Sequence, residues 1–375
     1  MMVSQLKHKT LAFGFFIFLG LIPLCTNAQT LQKMKKQESD MISKIKKNLE
    51  LGIVDEKQNP FEIRKFKPYI NGKWIGEAVS YGPYRKGQSP DSKGSCEAEI
   101  LEDLNILKEH WNLLRVYGAD KNSRNILRVI KKNKLPIKVM LGIWLENETK
   151  DTAQKSKNIE QVLNGIALAN EFPEIIAAIN VGNETQVFWS WHKMEMKNLI
   201  KYIRIVRKNT TVPVTTADDY NFWNKPESKD VDAEIDFIVM HAYALWNGIT
   251  LDNAFNWLDS IYYKNVKPLH PEKDIVIGET GWATNYDPSK KGLGEQGALV
   301  KGEVSIKAQE KYLMQHHKWL NKNKITTFLF EAFDESWKGG GESSAPKEIE
   351  KNWGVFYEDR TPKKSFVDYL KQLNQ

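Results

Sequence analysis

From about residue 66 onward, short apolar runs alternate with amphipathic helical segments, and this alternation restricts the possible folds more than any other feature. Apolar runs separated by helices are typical of a parallel sheet. Eight such units predict an α/β protein with a closed (β/α)8 TIM barrel, a single domain over residues 66–375. An open doubly wound sheet is the alternative, but its usual Gly-rich phosphate loop is absent from the sequence. The predicted strands cover residues 78–81, 113–117, 137–143, 176–181, 212–216, 237–241, 275–277 and 326–330.

Residues 1–28 have the pattern of an export signal, with Lys7 and Lys9 before an apolar stretch and small residues before Ala28. We therefore expect an exported chain, cleaved after Ala28, that is periplasmic, surface-held or secreted. A lipid anchor on Cys25 is the alternative, disfavoured because Leu24 is larger than the residue such signals carry. The signal is too short to span a bilayer comfortably, so no transmembrane span is expected after its removal.

Residues 29–65 predict a helical extension before the barrel. Apolar positions at Met34, Met41, Ile45 and Leu49 lie on one face of a helix, and Asn59-Pro60 is expected to end it. We assign no chemistry to this segment.

The composition excludes disorder and argues against a nucleic-acid partner. Hydrophobic residues make up 41% of the chain and charged residues 27%, enough to bury a large core. The formal net charge of +7 becomes +5 once Lys7 and Lys9 are removed. The basic residues are mixed with acidic ones, whereas nucleic-acid binding needs a clustered basic face. The sequence makes no prediction about the oligomeric state.

Two segments share one pattern, in which an apolar run and a glycine precede a glutamate. The first leads to Glu184 and the second to Glu279. Active sites of TIM barrels lie at the carboxyl ends of the strands, so these glutamates can face each other across a cleft. A pair of carboxyl groups about 5–5.5 Å apart suffices for retaining cleavage of a glycosidic bond. This chemistry predicts no metal ion and no cofactor.

The remaining strand ends supply carboxylates, amides and aromatic rings, which suit a carbohydrate cleft. The chain has 12 Trp and 13 Tyr, and aromatic faces are common platforms for sugar rings. The predicted substrate-binding residues are Asn183, Tyr81, Tyr84, Arg115, Tyr117, Tyr243, Trp282, Glu331, Glu335, Trp337, Lys338 and Trp353.

Several motifs in order resemble glycoside hydrolase family 17, the β-1,3-glucanases and related glucan transglycosylases. They are IGEAVSYGPYR at residues 75–85, LRVYG at 114–118, VGNE at 181–184, ETGW at 279–282, FEAFDESWK at 330–338 and NWGVF at 352–356. The resemblance covers roughly residues 66–366. It implies a (β/α)8 barrel and a retaining mechanism with Glu184 as acid/base and Glu279 as nucleophile. The N-terminal helix and the loops after the last two strands depart from the family pattern.

We therefore predict a retaining β-1,3-glucan hydrolase, most simply endo-acting. Glu279 is expected to be ionised and stabilised by Tyr243 and Arg115, while Glu184 carries a proton. Asn183 is expected to bind the sugar 2-hydroxyl. Alternatives within the family are a glucan transglycosylase or an exo-acting glucanase. Outside it they are a non-catalytic glycan-binding barrel, disfavoured because both carboxylates are present, and a β-1,4-glucan or mannan hydrolase, disfavoured by the eighth-strand motif.

Overall fold

The computed structural model describes residues 28–51, 61–149, 151–341 and 344–375. Within these residues, eight parallel strands form a closed barrel in which the last strand pairs with the first. The predicted (β/α)8 barrel is confirmed. None of the helices in the described ranges is long and apolar enough to cross a membrane. Residues 1–27 of the predicted signal and the predicted helix end at Asn59-Pro60 lie outside the described residues.

A short antiparallel hairpin precedes the barrel, and each barrel strand pairs with its neighbours in sequence. The hairpin strands are β1 (Tyr69–Ile70) and β2 (Lys73–Trp74). The barrel strands are β3 (Glu77–Ser80), β4 (Leu113–Val116), β5 (Lys138–Ile143), β6 (Ile176–Asn183), β7 (Val214–Asp219), β8 (Ile238–His241), β9 (Ile275–Thr280) and β10 (Thr327–Leu329).

Three strands extend further toward the carboxyl rim than the sequence predicts, and β6 is one of them because it runs to Asn183. β7 runs to Asp219 and β9 runs to Thr280, so Glu279 lies inside a strand rather than after one. Main-chain pairing decides this difference, since Glu279 pairs with His241 of β8 and Thr280 with Leu329 of β10. Local polarity ends a strand in a sequence-based prediction, but hydrogen bonds to both neighbours continue it in the barrel.

Helices surround the barrel and bury their apolar faces against it. They are α1 (Ala28–Glu50), α2 (Glu97–Leu107), α3 (Lys121–Asn133), α4 (Thr152–Glu171), α5 (Met196–Lys208), α6 (Tyr220–Trp223), α7 (Ser228–Asp232), α8 (Ala254–Ser260), α9 (Gln296–Leu299), α10 (Ile306–Asn323) and α11 (Lys364–Leu373). A π-helical turn, Ile261–Val266, continues α8, and 3-10 turns occupy Leu251–Asn253 and Ile349–Lys351.

The N-terminal helix α1 packs on the outside of the barrel, where it contacts α4. Ile45 and Leu49 are buried, as expected for the apolar face of an amphipathic helix. Met41 packs against the same core. None of the side chains of this helix that the structure describes contacts the site described below.

The barrel interior is filled by apolar side chains, so it is a packed core and not a pore. Leu113, Met140, Phe237 and Phe328 belong to this inner cluster, and Phe66 stacks on Phe237 with ring centroids 4.7 Å apart. Polar side chains replace the apolar ones at the carboxyl ends of the strands.

Candidate active site

The carboxyl ends of β6 and β9 bring Glu184 and Glu279 together. A carboxylate oxygen of Glu184, one of Glu279 and a ring nitrogen of His241 all lie within 4.8 Å of one another. Retaining glycosidases hold their two carboxyl groups about 5–5.5 Å apart, whereas inverting enzymes separate them by about 6.5–9.5 Å to admit a water molecule. The separation observed here fits the retaining geometry.

Glu279 is held by hydrogen bonds to both of its oxygens. Its Oε1 accepts from Arg115 Nη1 at 2.7 Å and from the Tyr117 hydroxyl at 2.8 Å. Its Oε2 accepts from the Tyr243 hydroxyl at 2.8 Å. The side chain is only 8% exposed and its arginine partner 1% exposed, so the ion pair is shielded from water. These contacts fix the carboxylate in one orientation.

The surroundings of Glu279 favour its ionised form. Burial by itself raises the pKa of a carboxyl group, but the charges of His241 and Arg115 and the hydrogen bonds from Tyr243 and Tyr117 outweigh burial and lower the pKa of Glu279 below its ordinary value. A carboxylate that stays ionised in a buried site can act as a nucleophile.

His241 lies between the two glutamates. Its Nδ1 is 2.9 Å from Glu184 Oε1 and its Nε2 is 3.5 Å from Glu279 Oε1. The ring fits there because residue 278 is a glycine: a Cβ at Gly278 would lie 3.0 Å from the ring Cδ2 and 2.2 Å from Val239 Cγ1. The glycine that precedes the glutamate in the sequence pattern therefore has a packing reason, which is room for the histidine.

Glu184 occupies a different setting, on a turn that ends β6. Its φ is +48°, in the left-handed region that non-glycine residues seldom adopt, and its side chain is 26% exposed. Its backbone N–H donates to Ala217 O at 2.9 Å, which anchors the turn to β7. The turn directs the carboxyl group into the open rim, within reach of solvent and of a bound ligand.

Two buried aspartates lie at the end of β7, near Glu184. Burial raises the pKa of Asp218 well above its ordinary value, and the charge of Glu184 adds to the effect. Burial raises the pKa of Asp219 to about 7, opposed by hydrogen bonds from Asn221. Both aspartates therefore lie beside Glu184, the less shielded of the two glutamates.

Asn183 and Arg115 connect the two halves of the site. Arg115 Nη2 donates to Asn183 Oδ1 at 2.6 Å while Nη1 of the same guanidinium holds Glu279. Because Oδ1 of Asn183 accepts from Arg115, its Nδ2 is the part of the side-chain amide left to donate to a ligand. The sequence predicts these three residues, together with Glu184, Tyr117 and Tyr243, as neighbours in the site, and the structure brings them together.

A second charged cluster follows β10. Lys338 Nζ contacts Glu331 Oε2 at 2.6 Å and Glu335 Oε2 at 2.8 Å, and it lies 4.4 Å from the centre of the Phe330 ring. Burial raises the pKa of Glu331 well above its ordinary value, opposed by the charge of Lys338 and reinforced by that of Glu335.

Trp337 is half-buried beside this cluster, and the buried Tyr84 supports it with an edge-to-face ring contact at 5.6 Å. Among the predicted tryptophans, Trp337 therefore keeps part of its side chain open.

Three predicted substrate contacts are wrong because the side chains are packed inside the protein. Tyr81 is 1% exposed and donates its hydroxyl to Asp103 Oδ2 at 2.9 Å. Trp282 is also 1% exposed, with Nε1 donating to Glu303 O at 2.9 Å. Trp353 is equally buried and contacts the ring of Tyr243 at 5.2 Å, so it supports that tyrosine. None of the three presents an open face to a sugar.

Glu350 is a carboxyl group near the pair that sequence reasoning missed. Burial raises the pKa of Glu350 to about 7, opposed by Lys338 and reinforced by the charges of Glu279 and Glu184. It lies on the 3-10 turn within a long loop after β10. No periodic pattern surrounds it, so its position depends entirely on how that loop folds over the rim.

The cluster of Glu184, His241 and Glu279 has the composition of a metal site but not its bonding. Both oxygens of Glu279 already accept hydrogen bonds from Arg115, Tyr117 and Tyr243. A cation bound there would have to displace these donors and would face the guanidinium at close range. The donor set therefore fits an ionised carboxylate held by hydrogen bonds.

A family model described as the BtgE/BtgC glycoside hydrolase domain matches residues 78–354. The chain is 30% identical over 288 residues to a glucan 1,3-beta-glucosidase of Arthroderma benhamiae, covering 73% of this chain and 86% of that protein. It is 26% identical to the glucan endo-1,3-beta-glucosidase btgC of Emericella nidulans, covering 68% of this chain but only 40% of that longer protein.

Solved structures with a similar fold include an endo-laminarinase from Formosa Hel1_33_131. The TM-score is 0.67 at 25% identity, and the match covers 80% of this chain and 88% of that one. A glycoside hydrolase family 17 β-1,3-glucanosyltransferase from Rhizomucor miehei matches with a TM-score of 0.60 at 23% identity, covering 77% and 96% of the two chains. The second likeness supports the fold alone.

Proposed function

Since this chain belongs to the BtgE/BtgC glycoside hydrolase family, we propose that it is a retaining β-1,3-glucan hydrolase of glycoside hydrolase family 17 that cleaves laminarin-type chains internally. The observation that carries the proposal is the approach of Glu184 and Glu279 to within 4.8 Å at the barrel rim. The activities in the names of the fungal relatives and of the laminarinase support the choice of substrate.

In the first step, Glu279 attacks the anomeric carbon of the bound glucosyl unit. The bond from that carbon to the departing oxygen breaks, and Glu184 donates its proton to this oxygen. A covalent ester joins the sugar to Glu279. Because Arg115, Tyr117 and Tyr243 hold the carboxylate in place, little reorganisation is needed before the attack.

In the second step, Glu184 takes a proton from a water molecule whose oxygen attacks the same carbon. The ester bond breaks, Glu279 recovers its charge, and Glu184 recovers its proton. The partial exposure of Glu184 suits this exchange because water reaches it from the open rim. Two attacks on opposite faces retain the configuration of the sugar.

Asn183 and the Glu331–Lys338 cluster are the proposed sugar-binding groups. Asn183 is the last residue of β6 and directly precedes Glu184. Arg115 orients its side-chain amide, which suits a contact with the sugar 2-hydroxyl. Lys338 and its two carboxyl partners form a rigid donor and acceptor set for hydroxyl groups.

Sizing of products over time tests the proposal. The protein is incubated with linear β-1,3-glucan and with laminari-oligosaccharides, and the products are separated by length. An endo-acting hydrolase shortens long chains early and gives products no longer than the substrate. Release of glucose alone from chain ends indicates an exo-acting enzyme. Binding of the glucan with no cleavage would assign the barrel to the non-catalytic class and overturn the proposal.

A glucan transglycosylase is the second candidate, favoured by the fold shared with the β-1,3-glucanosyltransferase of Rhizomucor miehei. In that reaction a sugar hydroxyl replaces water in the second step, and the catalytic residues stay the same. Products longer than the starting oligosaccharide identify it. The ratio of longer to shorter products at increasing substrate concentration then measures how well the acceptor competes with water.

We also propose that the chain works outside the cytoplasm. The support is the sequence pattern of residues 1–28, with its positive start and apolar core. Mass determination of the N-terminus of the exported protein tests this. A mature chain beginning at Gln29 is expected, whereas a lipid-modified Cys25 would establish the anchored form.

A further inference from the structure

Three large aromatic side chains are exposed in the loop that connects β6 to α5. Phe188 is 80% exposed, Trp189 is 46% exposed and Trp191 is 75% exposed. Phe188 and Trp189 form an edge-to-face pair with centroids 5.0 Å apart. We call residues 187–192 the aromatic loop. Scattered exposed apolar residues are ordinary on a protein surface, but a contiguous group of large rings marks a binding surface.

The aromatic loop is fixed to the active site. His192 Nε2 lies 2.7 Å from Asn183 O, the carbonyl of the residue before Glu184. The His192 ring contacts Trp191 at 4.9 Å on one side and Trp144 at 4.8 Å on the other. Trp191 therefore contacts His192, whose side chain is hydrogen-bonded to the Asn183 carbonyl. The aromatic loop is thus attached directly to the main chain beside the acid/base.

Polar groups stand beside the exposed rings. A cavity of about 190 Å³ lies between the aromatic loop and α6, and its lining includes Phe188, Trp189, Gln186, Asn221 and Lys225. Ring faces next to amides and a lysine match the chemistry of a glucan, whose sugar units have apolar C–H faces and a border of hydroxyls. A purely apolar partner would bury the charge of Lys225 without offering it a hydrogen bond.

We propose that Phe188 and Trp191 bind glucosyl units of a β-1,3-glucan on the leaving-group side of the cleavage point. The inference rests on the proposed function, since it assigns the loop to the same substrate. The position of the general acid indicates this side, because Glu184 must reach the oxygen that departs. The aromatic loop follows Glu184 closely in the chain, so it borders the part of the substrate that leaves. An acceptor sugar in transglycosylation would occupy the same surface.

Two substrates of different length test the assignment. Laminarihexaose reaches the leaving-group side with several glucosyl units, whereas an aryl β-laminaribioside places only its aryl group there. For Trp191→Ala and Phe188→Ala, the loss in kcat/KM on the hexaose is expected to exceed the loss on the aryl substrate by about tenfold, the effect of removing one ring face of buried contact. In the inactive Glu279→Ala background, the Kd for the hexaose is expected to rise by a similar factor.

Tyr69→Ala is the matched control. Tyr69 is an aromatic residue that is 52% exposed on the hairpin, which precedes the first barrel strand and so lies at the end opposite the active site. Its variant is expected to retain the kinetics of the parent protein on both substrates. The side chains of Phe188, Trp191 and Tyr69 are exposed, so thermal unfolding should confirm that each of these variants is folded.

Equal kinetics of the loop variants and the parent on both substrates would overturn the assignment. So would a parent protein that dimerises in solution and becomes monomeric on Trp191→Ala, because the rings would then form an interface between copies. A parent protein that cleaves no β-1,3-glucan would instead overturn the proposed function. Activity of the parent therefore separates failure of the function from failure of the loop assignment.

Discussion

Glu279 and Glu184 lie within 4.8 Å of each other but in contrasting surroundings. Glu279 is part of a regular strand, nearly buried, and held by Arg115, Tyr117 and Tyr243. Glu184 lies on a left-handed turn at the rim, a quarter exposed, and contacts His241. One carboxyl group is immobilised as an anion, whereas the other can exchange with solvent.

This contrast matches the different roles of the two carboxyl groups in double displacement. A nucleophile must keep its charge and point at one carbon, which a shielded ion pair and hydrogen bonds to both oxygens achieve. An acid/base must release and regain a proton in each cycle, which needs access to the leaving group and to water. The difference between the two settings thus predicts different consequences for their substitution.

The largest effect is expected for Glu279→Ala. Without the carboxylate no covalent intermediate forms, and kcat on laminarin should fall on the order of 10⁴-fold or more, with glucan binding still measurable. Initial rates and equilibrium binding check this. The control is Glu174→Ala, which removes an exposed carboxylate before β6. Near-parental turnover in Glu279→Ala would remove it from the role of nucleophile.

Glu184→Ala is expected to depend on the substrate. On laminarin, whose leaving group needs a proton, the rate should fall roughly 10²- to 10⁴-fold. On an aryl glycoside with an acidic leaving group the loss should be much smaller, and added azide should restore turnover by attacking the intermediate. Equal losses on both substrates would contradict the assignment of Glu184 as acid.

Tyr243→Phe tests the contrast between the two glutamates through the pH dependence of kcat/KM. Burial raises the pKa of Glu279, but the charges of His241 and Arg115 and the hydrogen bonds from Tyr243 and Tyr117 lower it overall. Loss of the Tyr243 hydroxyl removes one stabilising bond to the anion, so the pKa rises and the acidic limb of the kcat/KM profile should move to higher pH. A drop of about tenfold is expected at the optimum. An unmoved acidic limb would count against the hydrogen bond.

The smallest effect is expected for Tyr81→Phe, because Tyr81 contacts neither Glu184 nor Glu279. The substitution removes the hydrogen bond to Asp103, which Arg85 and Arg360 continue to hold. Urea unfolding should show a loss of about 1 kcal/mol in the free energy of unfolding, with parental kcat/KM. A large change in KM without a change in stability would return Tyr81 to the list of substrate contacts.

The same packing argument explains which site predictions failed. Trp282 follows Glu279 in the ETGW motif and Trp353 belongs to the NWGVF motif, so both tryptophans suggested substrate contacts. In the fold, Trp282 donates to Glu303 O and Trp353 supports the ring of Tyr243. Conversely, Phe188 and Trp191 stand just after Glu184, and their aromatic density was a usable signal. Exposure of a ring depends on neighbours distant in the chain, which the local sequence does not specify.

Hydrophobic periodicity by itself determined the barrel, because strands buried on both faces must be apolar and their helices must be amphipathic. It also placed Glu184 and Glu279 near the carboxyl ends of their strands, although Glu279 lies within β9. The tertiary structure alone decided the left-handed turn at Glu184, the approach of His241 to both glutamates and the inclusion of Glu350. These features arise from contacts across several strands and loops, so their energies depend on positions far apart in the sequence.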